Sequence, residues 1–177
     1  MEFPELTSKR LYFREHISSD QTAYYDLLSN KQAIRYYGRA PLKDIEEAAY
    51  EIELLHKKFE SIEVIKWALL NKTDNRYIGS VGVKDFSTIH KRGTLSCVIS
   101  PEYWGSGFAT ESLYTIIHYC FEELYLNRLQ AFVDPQNTKA MSLFDKLGFK
   151  MEAIFKEYEY ERKKHIDIAI WGLLKSK

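Results

Sequence analysis

A chain of 177 residues, 45% of them apolar, is long enough to bury a core without a disulfide framework or a structural metal. Lysine plus arginine balances aspartate plus glutamate at 25 each, which excludes the broad positive field that gathers DNA or RNA. The start has no basic segment ahead of an apolar stretch, and no apolar run nears the ~20 residues a bilayer crossing takes, so we expect one soluble, cytoplasmic domain over residues 1–177 with no membrane or nucleic-acid partner.

In chain order, Lys9 to Arg14 reads as a first strand, and Asp20 stands where an N-cap would open a helix through Tyr24, Leu27 and Leu28. An aromatic, basic linker follows (Ile34-Arg35-Tyr36-Tyr37-Gly38-Arg39). Asp44 then opens an amphipathic helix with apolar positions Ile45, Ala48, Ala49, Ile52, Leu55 and Phe59. Ile65 to Leu70 and Tyr77 to Val83 form a hairpin across the turn-prone Asn71 to Asn75. Leu95 to Ile99 is the next strand. Helical spacing resumes at Ala109, Leu113, Ile116, Ile117, Cys120, Phe121 and Leu124. Leu129 to Val133 is a strand, Ala140 to Leu147 a short helix stopped by Gly148, and Met151 to Tyr160 with His165 to Leu174 a final hairpin around Glu161 to Lys164. This order gives a mixed α+β arrangement, a sheet with helices on its faces. Cys97 and Cys120 make no framework and read as small core residues, with Cys97 the one that could lie near a reacting group. The five histidines show no ligand spacing, so no metal is implied.

The stretch from Ser100 to Glu111 carries the chemistry. It joins a strand to a helix through Trp104-Gly105-Ser106-Gly107-Phe108-Ala109-Thr110. Two glycines let backbone N–H groups face outward, and the helix start adds unpaired donors and a partial positive charge, which together suit a phosphate or diphosphate. A dinucleotide-binding turn of an NAD(P)-dependent oxidoreductase, with Asp134 as a ribose partner, is the rival reading. Against it stand the antiparallel segments before the loop and the hairpin after it.

The pattern Gly-x-Gly-x-Ala-Thr-Glu at 105–111 resembles the coenzyme A loop of the GCN5-related N-acetyltransferases (GNAT), and most of all the branch that acetylates ribosomal-protein N-termini. The resemblance extends to Ser8 to Arg14, Ile78 to Gly82, Leu126 to Asn137, Lys146 to Phe149 and Ile166-Asp167, and so covers nearly the whole chain. It implies an α/β GNAT fold, a mixed sheet of about six or seven strands whose middle strands splay, with helices on both faces. It also implies acetyl-CoA as cofactor and a primary amine as acceptor, either a ribosomal-protein N-terminus or a small amine, in a monomer or homodimer.

By that resemblance, backbone groups of Val98 and Ile99 pair with the pantetheine arm. The amides of Trp104, Gly105, Ser106, Gly107, Phe108 and Ala109, with Thr110, hold the diphosphate, and Asn137, Ser142 and Lys146 lie beside the cofactor. Relatives often place a tyrosine acid at the position of Phe144 and an acidic residue at Thr94, and neither residue here can move a proton in that way. Asp167, Ser142 and Asp134 are therefore the candidate catalytic residues, and Glu111 a further carboxylate more suited to the helix's first turn. A catalytically silent acyl-CoA-binding module is the alternative these substitutions raise. Weak base equipment favours an α-amine of pKa about 8 over a lysine amine of about 10.4, a difference of roughly 3 kcal/mol in delivering the neutral form. Tyr36, Tyr37, Trp67, Tyr158 and Tyr160 are the expected acceptor-side residues.

Overall fold

The computed structural model describes residues 2–161 and 163–176. Met1 and Arg162, within the expected start and final turn, lie outside the described residues. One sheet contains β1 (Leu6–Thr7), β2 (Leu11–Arg14), β3 (Val64–Asn71), β4 (Tyr77–Ser87), β5 (Arg92–Ile99), β6 (Arg128–Val133), β7 (Lys150–Glu161) and β8 (Lys164–Leu174). Their order is β1-β2-β3-β4-β5-β6-β8-β7. The helices are α1 (Gln21–Ser29), α2 (Ile45–Glu60), α3 (Phe108–Glu122) and α4 (Thr138–Lys146). The eighth strand beyond the expected count is β1, whose two residues pair with Phe13 and Tyr12 and are too few to show a period. Among the described residues only β5 and β6 pair in parallel, so the sheet is not doubly wound and the dinucleotide reading fails.

Alternation along β3 divides the molecule. Ile65, Trp67 and Leu69 join Leu113, Ile116 and Cys120 of α3 and Phe144 of α4 in one core cluster. Burying Leu113 or Ile116, both fully covered, stabilises this face by roughly 1.5–3 kcal/mol each. The opposite face meets α1 and α2, where Tyr24, Leu27, Leu28, Ala48 and Ile52 cluster with Val98 of β5. Helices thus cover both faces. Asp44 caps α2 as expected, its Oδ1 accepting from Glu47 N at 2.8 Å. Asp20 does not cap α1 with its side chain. It ends a 3-10 turn, its Oδ2 accepts from Ile17 N at 2.9 Å, and Arg14 holds the carboxylate in two further hydrogen bonds.

The feature that positions the site is a fork. β5 and β6 pair only through Arg92↔Arg128, Gly93↔Leu129 and Thr94↔Gln130. Beyond that, β5 stays on β4 as far as Gly79↔Ile99, while β6 stays on β8 as far as Val133↔Ala169. Each strand keeps its outer partner and loses its inner one, and a gap opens in the middle of the sheet.

Candidate active site

The glycine loop lies at the end of β5. Gly105 and Gly107 take φ +77 and +80, a region that residues with a Cβ rarely enter. Among the described residues no backbone acceptor pairs with the amides of Gly105, Ser106 or Gly107, and the first turn of α3 adds those of Phe108, Ala109 and Thr110. A Cβ at Gly105 would meet nothing within 4 Å, so the space above the loop is open. The residues fit a diphosphate. Trp104 is a correction, because its amide already donates to Pro101 O at 3.2 Å and its indole to Ile99 O at 2.8 Å. It braces the loop instead of offering a donor.

The loop is held by the start of the chain. Arg10 donates from Nε to Glu111 Oε2 at 2.6 Å and from Nη1 to Ser106 O at 2.8 Å, and its guanidinium lies 4.2 Å from the centre of the Phe108 ring. Glu111 also accepts from Ser8 Oγ and Arg10 N, both at 2.7 Å. Burial raises the pKa of this carboxyl, but Ser8 and Arg10 outweigh it and hold it below the usual glutamate range. Glu111 is therefore a structural anion. An open cavity of about 580 Å³ beside the loop is lined by Lys9, Gly107, Thr110, Tyr114 and Lys146 among others, which brings Lys146 and Thr110 together with Gly107.

At the fork, Ser100 N donates to Ile78 O at 2.8 Å. Antiparallel alternation then turns the backbone groups of Val98 toward β4 and those of Cys97 and Ile99 into the gap. Val98 is thus a second correction, its backbone spent in the ladder and its side chain buried with Tyr24 and Ile52. Cys97, which supplies the missing backbone, keeps its thiol 3.8 Å from Ser112 Oγ, and burial pushes that thiol up to about 11. It is not a thiolate nucleophile. Thr94 is buried, its Oγ1 accepting from Gln130 Nε2 at 3.2 Å, and the buried Phe144 ring packs edge-on against Phe149.

On α4, Asn137 caps the helix by accepting from Ala140 N at 3.2 Å, while Ser142 and Lys146 are exposed. Asp134 is buried at the end of β6 and accepts from Gln136 N at 2.8 Å. Asp167 is a third correction. Its Oδ2 accepts from Lys156 Nζ at 2.8 Å and its Oδ1 from Glu157 N at 3.0 Å, which ties down the bulge between Phe155 and Glu159. The Lys156 ammonium, with the Glu157 amide, holds its carboxyl below the usual aspartate range, the wrong direction for a base.

Of the expected acceptor-side residues, Trp67 belongs to the core. It is fully buried, donates to Pro4 O at 2.6 Å and packs edge-on against Tyr119 of α3, because strand alternation turns it away from α1 and α2. Tyr36 and Tyr37 are half-buried in the loop between α1 and α2, and that loop reaches the final hairpin, where a Cβ at Gly38 would lie 3.2 Å from Glu161 Oε1. Tyr158 and Tyr160 stand exposed on that hairpin. The sequence reading missed Lys66, whose Nζ donates to Tyr37 Oη at 3.0 Å. Its signal was a lysine inside the apolar run Val64 to Leu70.

A family model for the acetyltransferase (GNAT) domain matches residues 10–150. The chain belongs to that family. It is 29% identical over 173 residues to YoaA, an uncharacterized N-acetyltransferase of Bacillus subtilis, with 98% of each chain covered. It is 30% identical to the spermidine N(1)-acetyltransferase of Escherichia coli over 72% of this chain and 66% of that one. Among solved structures, spermidine N-acetyltransferase from Vibrio cholerae, in complex with CoA and spermine, superposes with a TM-score of 0.85 at 24% identity, covering 96% of this chain and 98% of that one. This GNAT protein is an acyltransferase that takes acetyl-CoA as donor and an amine as acceptor. Among the described residues no cluster of His, Cys, Asp or Glu could hold a metal ion, and no helix is long and apolar enough to cross a membrane.

Proposed function

We propose that this protein acts in the cytoplasm as an N-acetyltransferase in which a neutral primary amine attacks the thioester directly within a ternary complex. The acceptor is a protein N-terminus or a small amine. The observation that carries this reading is the fork between β5 and β6 with the open amide cradle at its mouth. Acetyl-CoA supplies the activated acetyl group. The amides of Gly105 to Thr110 hold its diphosphate, Lys146 flanks it, and the gap-facing backbone of Cys97 and Ile99 takes the pantetheine arm and polarises the thioester carbonyl.

Three candidate proton carriers differ in what they are free to do. Asp167 is committed to the bulge and Asp134 to its turn, whereas Ser142 is exposed on α4 with no hydrogen-bond partner among the described residues. We assign Ser142 Oγ to the departing sulfur. With Asp167 and Asp134 so committed, and no other carboxylate assigned to the fork among the described residues, the acceptor must supply its own neutral form, which favours an α-amine of pKa about 8. The test is release of free thiol from acetyl-CoA in the presence of peptides, polyamines and aminoglycosides. Release with at least one amine class, reduced in Ser142→Ala, is the expected result, and no release with any acceptor would sink the proposal.

A further inference from the structure

The face of the sheet under α1 and α2 holds more charge than the reaction above uses. Two of its carboxylates each have a guanidinium of their own, and Glu15 stands by His56 of α2. Arg39 grips Glu51 through contacts of 2.8 and 2.7 Å, and Arg14 grips Asp20 at 2.6 and 2.8 Å. His16, fully buried beside them, is held neutral, burial and the neighbouring Lys66 ammonium pushing it down to about 3. Tyr24 and Tyr77 complete the layer as neutral phenols, and burial pushes Tyr24 up to about 12. What remains is Lys66. Its ammonium has one hydrogen-bond partner among the described residues, Tyr37 Oη at 3.0 Å, and the Tyr24 and Tyr37 rings lie at 5.9 and 5.4 Å. Among the described residues no carboxylate comes within salt-bridge distance of it, and Glu51, already held by Arg39, reaches it only through the field. A half-buried cation that gives up water for one phenol has two donors left and no carboxylate of its own in hydrogen-bond contact among the described residues, an arrangement that favours an anionic ligand.

Register says where that ligand would lie. Lys66 is opposite Gly82, and Gly82 is opposite Ser96, so these residues form one row across β3, β4 and β5 on the same face. At about 4.8 Å per strand, Lys66 Cα stands roughly 10 Å from β5, and a lysine side chain spans much of that distance. The residues between are small. A Cβ at Gly82 would lie 2.8 Å from Ile65 O and 3.2 Å from Lys66 Cα and Cβ, so glycine is what lets Lys66 take this place. One row of small residues therefore links the strand that borders the fork to the Lys66 ammonium.

We propose that Lys66 recognises an anionic group on the acceptor, so that the amine this enzyme acetylates carries a carboxylate or phosphate a few bonds from its nitrogen. This rests on the reading of the fork as the transfer site and names the acceptor class within it. A polyamine brings further cations to a layer whose surplus is already positive and is a poor acceptor. The test measures thiol release from acetyl-CoA with γ-aminobutyrate and a glycine-to-aminohexanoate length series, the corresponding amides, aminoethyl phosphate, and spermidine. The wild-type protein should show kcat/KM at least tenfold higher for the best anionic amine than for its amide or for spermidine. Carboxylates above phosphate identify the first source, and the reverse order the second. Lys66→Met should bring the acid-to-amide ratio close to one through KM, Lys66→Arg should keep most of it, and Lys66→Glu should raise spermidine relative to the acids.

Equal use of acid and amide by the wild type, or a preference that survives Lys66→Met, would overturn the inference while leaving acetyl transfer in place. If no acceptor releases thiol, calorimetric titration of γ-aminobutyrate into the CoA-saturated protein decides. Binding lost in Lys66→Met and kept in Lys66→Arg supports the anion site, and absence of binding to the wild type overturns it.

Discussion

The two sides of the fork are built from different materials. On the α3 side the cradle is backbone, amides presented by two glycines at positive φ and braced by Arg10 and Trp104. On the α1 and α2 side the wall is side chain, with Lys66, Tyr37, Tyr24 and Glu51 brought from four separate segments by strand register and loop packing. A backbone site binds what every homologous donor shares, while a side-chain site can change its preference with one substitution. The two walls therefore answer to different changes, the first to whatever alters φ at a glycine and the second to a single side-chain replacement.

Each side can be broken separately, and the layer under α1 and α2 has the larger expected response. His16 is neutral in the folded protein down to about 3, whereas an unfolded chain protonates near 6.5. Its contribution is therefore whole above pH 6.5 and is lost as the pH falls toward 3. Urea denaturation should show roughly 3 kcal/mol less stability at pH 4.5 than at pH 7.5, and His16→Gln should flatten that profile. Next comes the cradle. Gly107→Val forces a β-branched residue to φ +80 with Arg10 Nη2 3.5 Å from the new Cβ, and calorimetry should find CoA bound about thirtyfold more weakly, or ~2 kcal/mol.

Arg10→Ala removes the brace and leaves the glycines, and should raise the KM for acetyl-CoA about tenfold. The same loss should appear in the parent as acid protonates Glu111, since its depressed pKa keeps the brace intact above the ordinary glutamate range and releases it below. Asn137→Ala removes a helix cap. It should lower stability by about 1 kcal/mol in a thermal melt and change CoA affinity less than threefold. Smallest of all, Asp167→Asn should leave kcat within about twofold, because the residue ties a bulge and touches no reacting atom. A much larger drop would return Asp167 to the chemistry.

What was legible in the sequence follows the same division. The glycine loop could be read because its function needs φ angles that only glycine takes easily, so the residue type announces the geometry. The fork itself came from resemblance. Periodicity located the strands to within a few residues and could not show that β5 and β6 separate after Thr94. Trp67 is expected on the acceptor side with the four tyrosines, but Lys66 and Trp67 are neighbours on β3 and face opposite ways, which puts Trp67 in the core under α3. Parity was available, but which parity faces which helix was not. Asp167 misled for another reason: the bulge that claims its carboxylate depends on pairing between two strands, and no local signal marks it.

The ion pair between Arg10 and Glu111 joins positions separated by 101 residues. A ribosome adds Glu111 to the chain 101 residues after Arg10. The brace is thus complete only well after its first half has been made, and loss of the segment that carries Arg10 would look like a defect in coenzyme affinity although the missing piece lies far away in the chain.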